Sequence, residues 1–235
     1  MIKFFRNIRQ TLLMENKTSN YLTYAFGEIV LVVVGILIAL AINNWNEERQ
    51  IELGQTQFLK SLKEDLSNDL TQLNKIIEYQ TGKLKTVSAL QKELQTTKNF
   101  GKIETLFTQS QYASNDTFFA NTGTYTTSIS SGAIANLTPE ALKIAITTLY
   151  ERFYYRLTYN GEVYDDRTNE VAFKRGEFYN KIDKKLVNPE VLNSSGFANL
   201  ITVLLHDNNT YVDLANQTQR EILKVLELIN QRLKE

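Results

Sequence analysis

The chain reads as an all-α protein: an N-terminal amphipathic helix, one transmembrane helix, and an extracytoplasmic up-and-down bundle of long helices with a short-helix insertion. Three observations predict it. Residues 21–42, YLTYAFGEIVLVVVGILIALAI, are almost unbroken hydrocarbon apart from one acid, Glu28. Beyond them, apolar residues recur mostly every three or four positions between Lys, Glu, Asp and Gln, the period of an amphipathic helix. Proline occurs only twice, at Pro139 and Pro189, where one can open a helix and the other close one.

The apolar run sets the location. About twenty apolar residues at a rise of 1.5 Å each match a hydrocarbon core about 30 Å thick. A secretory signal peptide is the competing reading, since Ala39-Leu40-Ala41 resembles a cleavage site. The run is too long for a signal core and the segment before it too long for a basic tip, so a retained anchor is expected. Lys3, Arg6, Arg9 and Lys17 precede the run against Glu15 alone, whereas Glu47, Glu48 and Glu52 follow it with Arg49. Excess Lys and Arg belongs on the cytoplasmic side. Residues 1–20 are therefore expected in the cytoplasm, 21–42 in the bilayer, and 43–235 outside, with Trp45 at the outer interface and Tyr21 and Tyr24 at the inner one.

Composition narrows the class. The formal net charge is zero, with no basic stripe to suggest a nucleic-acid partner. Cysteine is absent, so no disulfide supports the outer domain, which suits a bacterial periplasm. The 193 residues beyond the first 42 of the 235 suffice for one well-packed domain or two small ones.

Residues 1–13, MIKFFRNIRQTLL, place Met1, Phe4, Phe5, Ile8 and Leu12 on one side and Lys3, Arg6, Asn7 and Gln10 on the other. That pattern predicts a helix lying on the inner leaflet, anchored in the lipid interface by Lys3, Phe5, Arg6 and Arg9. Residues 15–20 form the bend, with Thr18 or Ser19 available as a cap. Within the span, Tyr21, Tyr24, Gly35, Ala39 and Asn46 fall within roughly 40° of Glu28 on a helical wheel. Small residues allow close backbone approach, and a carboxylate avoids hydrocarbon, so this face is expected to meet protein. The partner is a second copy or another membrane protein. Glu28 also invites an ion or proton role, although two turns from the boundary it can snorkel.

The sequence so far resembles the N-terminal signature of a family of uncharacterised single-span membrane proteins abundant in Bacteroidota. Its elements are MIKFFR-x-IRQ-x-L, then ENK-x-x-x-Y, GEI-x-LVV-x-GILIAL and INNWNE. Here they are Met1 to Gln10, Glu15 to Tyr21, Gly27 to Leu40 and Ile42 to Glu47. The match covers about fifty residues; the outer domain resembles the family loosely, through Ser131-Gly132 and a Tyr-rich helix after it. The resemblance implies a bacterial inner-membrane protein with a periplasmic domain, and implies no activity.

In the outer domain, Phe58, Leu59, Leu62, Leu66, Leu70, Leu73, Ile77, Leu84 and Val87 predict a helix over 46–97 that can continue the span and is weakest at Gly54 and Gly82. Residues 98–137 form the insertion, with short helices over 103–110 and 125–131. If the first helix rises from the membrane, this insertion is its distal tip, where Tyr112, Phe118 and Phe119 are a candidate partner surface or a plug. Thr138-Pro139-Glu140 then predicts a capped start for a helix over 139–186, with kinks at Gly161 and Gly176. A last helix is expected over 195–233, with 206–209 its weakest point.

No zinc cluster, phosphate-binding glycine loop or nucleophile elbow is present in the sequence, so no catalytic, metal or cofactor site is expected. His206 beside Asp207 has no nucleophile at a telling spacing. Asp165, Asp166, Glu162 and Glu170 read as a solvated face, and Tyr150, Phe153, Tyr154, Tyr155, Tyr159 and Tyr164 as core more than pocket. The favoured expectation is a non-enzymatic membrane-anchored scaffold or assembly subunit. A ligand sensor acting through a signalling partner, with its small molecule unidentified, comes second, and an accessory subunit of an ion-translocating complex using Glu28 third.

Overall fold

The computed structural model describes residues 18–110, 115–174, 177, 179–180, 182–188, 190 and 193–234, without the side chains of 18–24 and 171–174. It is all-α apart from one two-residue ladder. The elements are α1 (Thr18–Gln95), α2 (Phe100–Gln109), α3 (Gly123–Ser130), α4 (Glu140–Thr148), a π-helix (Leu149–Tyr154), α5 (Tyr155–Lys174), β1 (Tyr179–Asn180), β2 (Lys185–Leu186) and α6 (Ser195–Arg232). The chain divides into two compact units at Gly54.

The first unit contains the apolar part of α1. From 29 to 54 every residue is exposed, and Leu31 reaches 70%. The helix is long and apolar enough to cross a membrane. The helical ladder closes its own backbone bonds, so hydrocarbon on all sides suits this stretch as water does not. The interfacial helix expected over 1–13 and the bend before the span lie outside the described residues.

In the second unit, the stripe of α1 buries Leu59, Leu62, Leu66, Leu73, Ile76, Val87 and Leu90. Leu70, Ile77 and Leu84 from the expected stripe are only partly buried. Gln91–Thr202, Gln80–Asn208 and Asn74–Gln219 contacts show that α6 runs antiparallel to α1. Tyr154–Asp69 and Tyr164–Gln80 show that α5 and its π-helix run parallel to it. The connectivity therefore departs from the expected up-and-down order. The insertion is a tip only in its first part: α2 shares a core with Val87, Leu90 and Leu94 at the end of α1, whereas further on Asn115 meets Gln80, Asn121 meets Asp69, and the carbonyl of Asn136 meets Gln55. It returns the chain along the side of α1, which is what permits two consecutive long helices to lie parallel.

Three helical expectations need correction. The helix expected to reach 186 ends at Lys174, and Tyr179 and Asn180 pair with Leu186 and Lys185. Asn180 Oδ1 accepts from the amides of Ile182 and Asp183, a side-chain-held turn that competes with helix, and Lys184 sits at φ 53°. Gly176 is outside the described residues; Gly161 lies inside α5. The weak point at 206–209 is unbroken helix, because Asp207 and Asn208 are buried and find tertiary partners. Pro139, rather than Thr138, occupies the cap position of α4, and no side-chain bond caps it.

Candidate functional site: an extended strap held by buried polar groups

Residues 115–121 form an extended strap along the bundle. A strand rises about 3.3 Å per residue against 1.5 Å for a helix, so a short extended segment can track several turns of α1. Helical elements around it supply side chains that satisfy its backbone.

At one end, Gln80 donates to Asn115 Oδ1 at 2.5 Å and to the carbonyl of Asp116 at 2.8 Å. Asn115 and Thr117 each donate to Asp165 of α5 at 2.9 Å. Asn208 of α6 donates to Gln80 Oε1 at 2.7 Å and to the Tyr164 hydroxyl at 3.1 Å, which ties three long helices to one amide. Lys83, on the same stripe, lies with its ammonium 5.0 Å from the Tyr164 ring centroid. Burial brings its pKa down to about 8, against the opposing pull of Asp165.

In the middle, the Phe118 amide donates to Tyr211 Oη at 2.8 Å and the Phe119 amide to Gln72 Oε1 at 3.0 Å. Gly161 suits the close fit: a Cβ there would stand 3.3 Å from Thr117 and 3.4 Å from the Tyr211 ring, so these neighbours would have to give by a few tenths of an ångström.

At the far end, Asp69 is fully buried. Its Oδ1 accepts from the amide and the side chain of Asn121, at 3.0 and 2.6 Å, and its Oδ2 from the Tyr154 hydroxyl at 2.8 Å. Tyr150 donates to the carbonyl of Asn121 at 3.1 Å and stacks on Tyr125 with ring centroids 4.1 Å apart. Tyr150 and Tyr154 come from the π-helix, an uncommon element frequent at functional sites, and Tyr125 from α3. Burial raises the Asp69 pKa, only partly offset by the bonds it accepts, and Asp65 pushes the same way. Burial likewise pushes the Tyr150, Tyr154, Tyr164 and Tyr211 phenols up, so all four act as neutral hydroxyls.

Of the predicted site residues, Glu28 is partly buried, Ala39 and Asn46 are exposed, and a Cβ at Gly35 would meet open space. Trp45 is exposed, with the Arg49 guanidinium 5.8 Å from its ring. The Tyr24 side chain, Lys3, Phe5, Arg6, Arg9 and Tyr112 lie outside what is described. Phe118 is not surface but core, 1% exposed against Tyr154, whereas its neighbour Phe119 is 70% exposed. Tyr150, Tyr154 and Tyr164 are core, while Tyr155 and Tyr159 face outward. Asp165 leaves the predicted solvated face to hold the strap; Asp166, Glu162 and Glu170 stay on it.

His206 lines a separate open cleft of about 700 Å³ between α5 and one face of α6, with Arg167, Asn199, Val203 and Asp207. Arg167 bonds Asp207 at 2.5 Å along its wall. Among the described residues, no group of three or more His, Cys, Asp or Glu is gathered that could hold a metal ion.

Residues 28–209 match the model of a family of unknown function, DUF6090. The chain belongs to this family. The DUF6090 match begins inside the apolar run and takes in the whole strap together with Asp69, Gln80, Asp165 and Asn208. No curated protein and no solved structure matches the chain.

Sequence reasoning missed Asp69, Gln80, Lys83 and Asn208. A signal existed: 62, 66, 69, 73, 76, 80, 83, 87 and 90 continue at steps of three and four, so polar side chains stand at stripe positions of α1. A buried polar group needs partners, and here they belong to the strap.

Proposed function

We propose that this DUF6090 protein is a non-enzymatic, single-pass scaffold or assembly subunit of the bacterial inner membrane, with residues 1–20 cytoplasmic and its helical bundle in the periplasm. It associates with a second copy, or with a partner's span, through the face carrying Tyr24, Glu28, Gly35, Ala39 and Asn46. The observation that carries this reading is the apolar run of α1, every residue of which is exposed from 29 onward. The polar chemistry of the bundle supports it too, since buried side chains are spent on holding the strap. The resemblance of the N-terminal fifty residues to Bacteroidota single-span proteins favours the same location.

Native purification with mass determination tests it, together with single cysteines along the span. Cross-links through Gly35→Cys or Ala39→Cys are expected, with more than one chain in the particle. A monomer without companions in gentle detergent, or cross-linking confined to Val30→Cys and Val34→Cys, would overturn it. The cleft beside His206 favours a second reading, a periplasmic sensor that signals through a separate partner. A small molecule that raises the melting temperature of the full chain would promote that reading.

A further inference from the structure

The strap is held at its two ends by different chemistry. At the Gln80 end, α1 contributes an amide that Asn208 of α6 braces, and α5 contributes the half-buried Asp165 carboxylate, which has the Lys83 ammonium to interact with. At the Asn121 end α1 contributes one buried carboxylate, and each donor to it is a neutral group of the strap or the π-helix. A buried carboxylate is tolerated when a cation pairs with it, and it is otherwise costly to ionise. No ion pair to Asp69 is found among the described residues.

Its surroundings extend that deficit. On its own helix the charged neighbour is Asp65, one turn earlier and of the same sign. The π-helix contributes Tyr150 and Tyr154, and α3 contributes Tyr125, whose hydroxyl donates to Glu151 at 2.9 Å. Arg152 of the same π-helix is exposed, its guanidinium 5.8 Å from the Phe153 ring. On α6, the Gln219–Asn74 contact puts Ile222 and Val225 near this level, and both are uncharged core. Residues 118–121 of the strap, Phe, Phe, Ala and Asn, carry no charge.

We infer that Asp69 is a proton-controlled clasp: the strap is closed tightly over the neutral carboxyl, and ionisation of that carboxyl favours lifting of residues 118–121 so that water can reach the charge. The sign follows from linkage. A carboxyl that titrates higher in the closed state than in the hydrated open state binds protons preferentially when closed. Acid therefore tightens the clasp, and alkali loosens it. A protonated Asp69 keeps its bonds, since the carbonyl oxygen still accepts from Asn121 and the new hydroxyl can donate to the Tyr154 oxygen. Lifting would carry Phe119 with it, the exposed aromatic of the strap, so pH would govern how that side chain is presented.

Hydrogen exchange of the Phe118, Phe119 and Asn121 amides in the full-length protein in detergent tests the inference. Rates are measured from pH 5 to pH 8 and corrected for intrinsic exchange, and α6 amides around Ile222 serve as the reference. Protection of the strap is expected to rise as pH falls, by about tenfold for each unit separating the closed and open pKa values. Asp69→Asn mimics the neutral carboxyl, and is expected to give a flat profile with protection at neutral pH no lower than wild type. Tyr154→Phe removes a donor that favours the ionised form, and is expected to lower strap protection at pH 8 and steepen its recovery in acid. A wild-type profile that is flat or falls toward acid, or an Asp69→Asn profile parallel to wild type, would overturn the inference; so would a Tyr154→Phe profile identical to wild type.

Discussion

Two stretches of α1 share a helix and differ in what surrounds them. Over 29–42 apolar side chains point in every direction and none is buried; over 58–94 they keep to one stripe, which the rest of the bundle covers. Backbone hydrogen bonding is satisfied inside the helix in both stretches, so it does not distinguish them. Their side chains are matched to different solvents. Hydrocarbon accepts an apolar surface all round, whereas water tolerates one only where protein covers it. The second stretch can therefore place Asp69, Gln80 and Lys83 on its stripe, because the covering protein supplies their partners.

The largest test of this contrast is truncation in each stretch. Leu66→Ala removes a fully buried side chain and is expected to destabilise the bundle by about 2–5 kcal/mol in denaturant unfolding. Leu37→Ala, at a 59% exposed position, should leave that unfolding transition in place. Equal losses from both would mean that the apolar run packs on the bundle, and the contrast would fail.

A second test concerns the end of the buried stretch. Glu93 accepts from Lys102 at 2.6 Å, from the Thr97 hydroxyl and from the Asn99 amide, closing the turn into α2. The Lys102 and Thr97 bonds hold its carboxyl down at about 2. A depressed pKa contributes stability above the unfolded value, about 4.3, which is lost as pH falls toward 2. Glu93→Gln is expected to be less stable than wild type at pH 7 and to converge with it near pH 2, as thermal melts would show. A constant difference across that range would show that Glu93 acts by shape rather than charge.

The smallest effect sharpens the comparison through glycine. A Cβ at Gly82 or Gly35 meets open space. Gly82→Ala in the aqueous stretch should raise stability by about 0.5–1 kcal/mol through helix propensity alone. Gly35→Ala should leave bundle stability unchanged and weaken span-to-span cross-linking.

Much of the fold was legible in the chain because it rests on local period. The apolar run and the 3.6-residue pattern announce helices within a few residues of where they lie, as the expected 103–110, 125–131 and 195–233 show against Phe100–Gln109, Gly123–Ser130 and Ser195–Arg232. The strap was not legible as a structural element. Its residues are polar and aperiodic, and nothing local says that Phe118 is buried while Phe119 is exposed. The hairpin after Lys174 escaped for a related reason: its turn is held by Asn180 and by the docking of Leu186's amide on Glu104 and Tyr179's hydroxyl on Thr108.

The amino-acid order by itself determined that this is a helical protein with one run suited to a bilayer, since both follow from the spacing and length of apolar residues. Only the tertiary structure decided that α1 and α5 run parallel, that an extended strap makes the return between them, and that Asp69, Gln80 and Asn208 are its holders. A polar residue on a helical stripe is ambiguous until its partner arrives. Here the partners come from segments tens of residues away, brought alongside only when the core around Leu66, Tyr154 and Tyr211 closes.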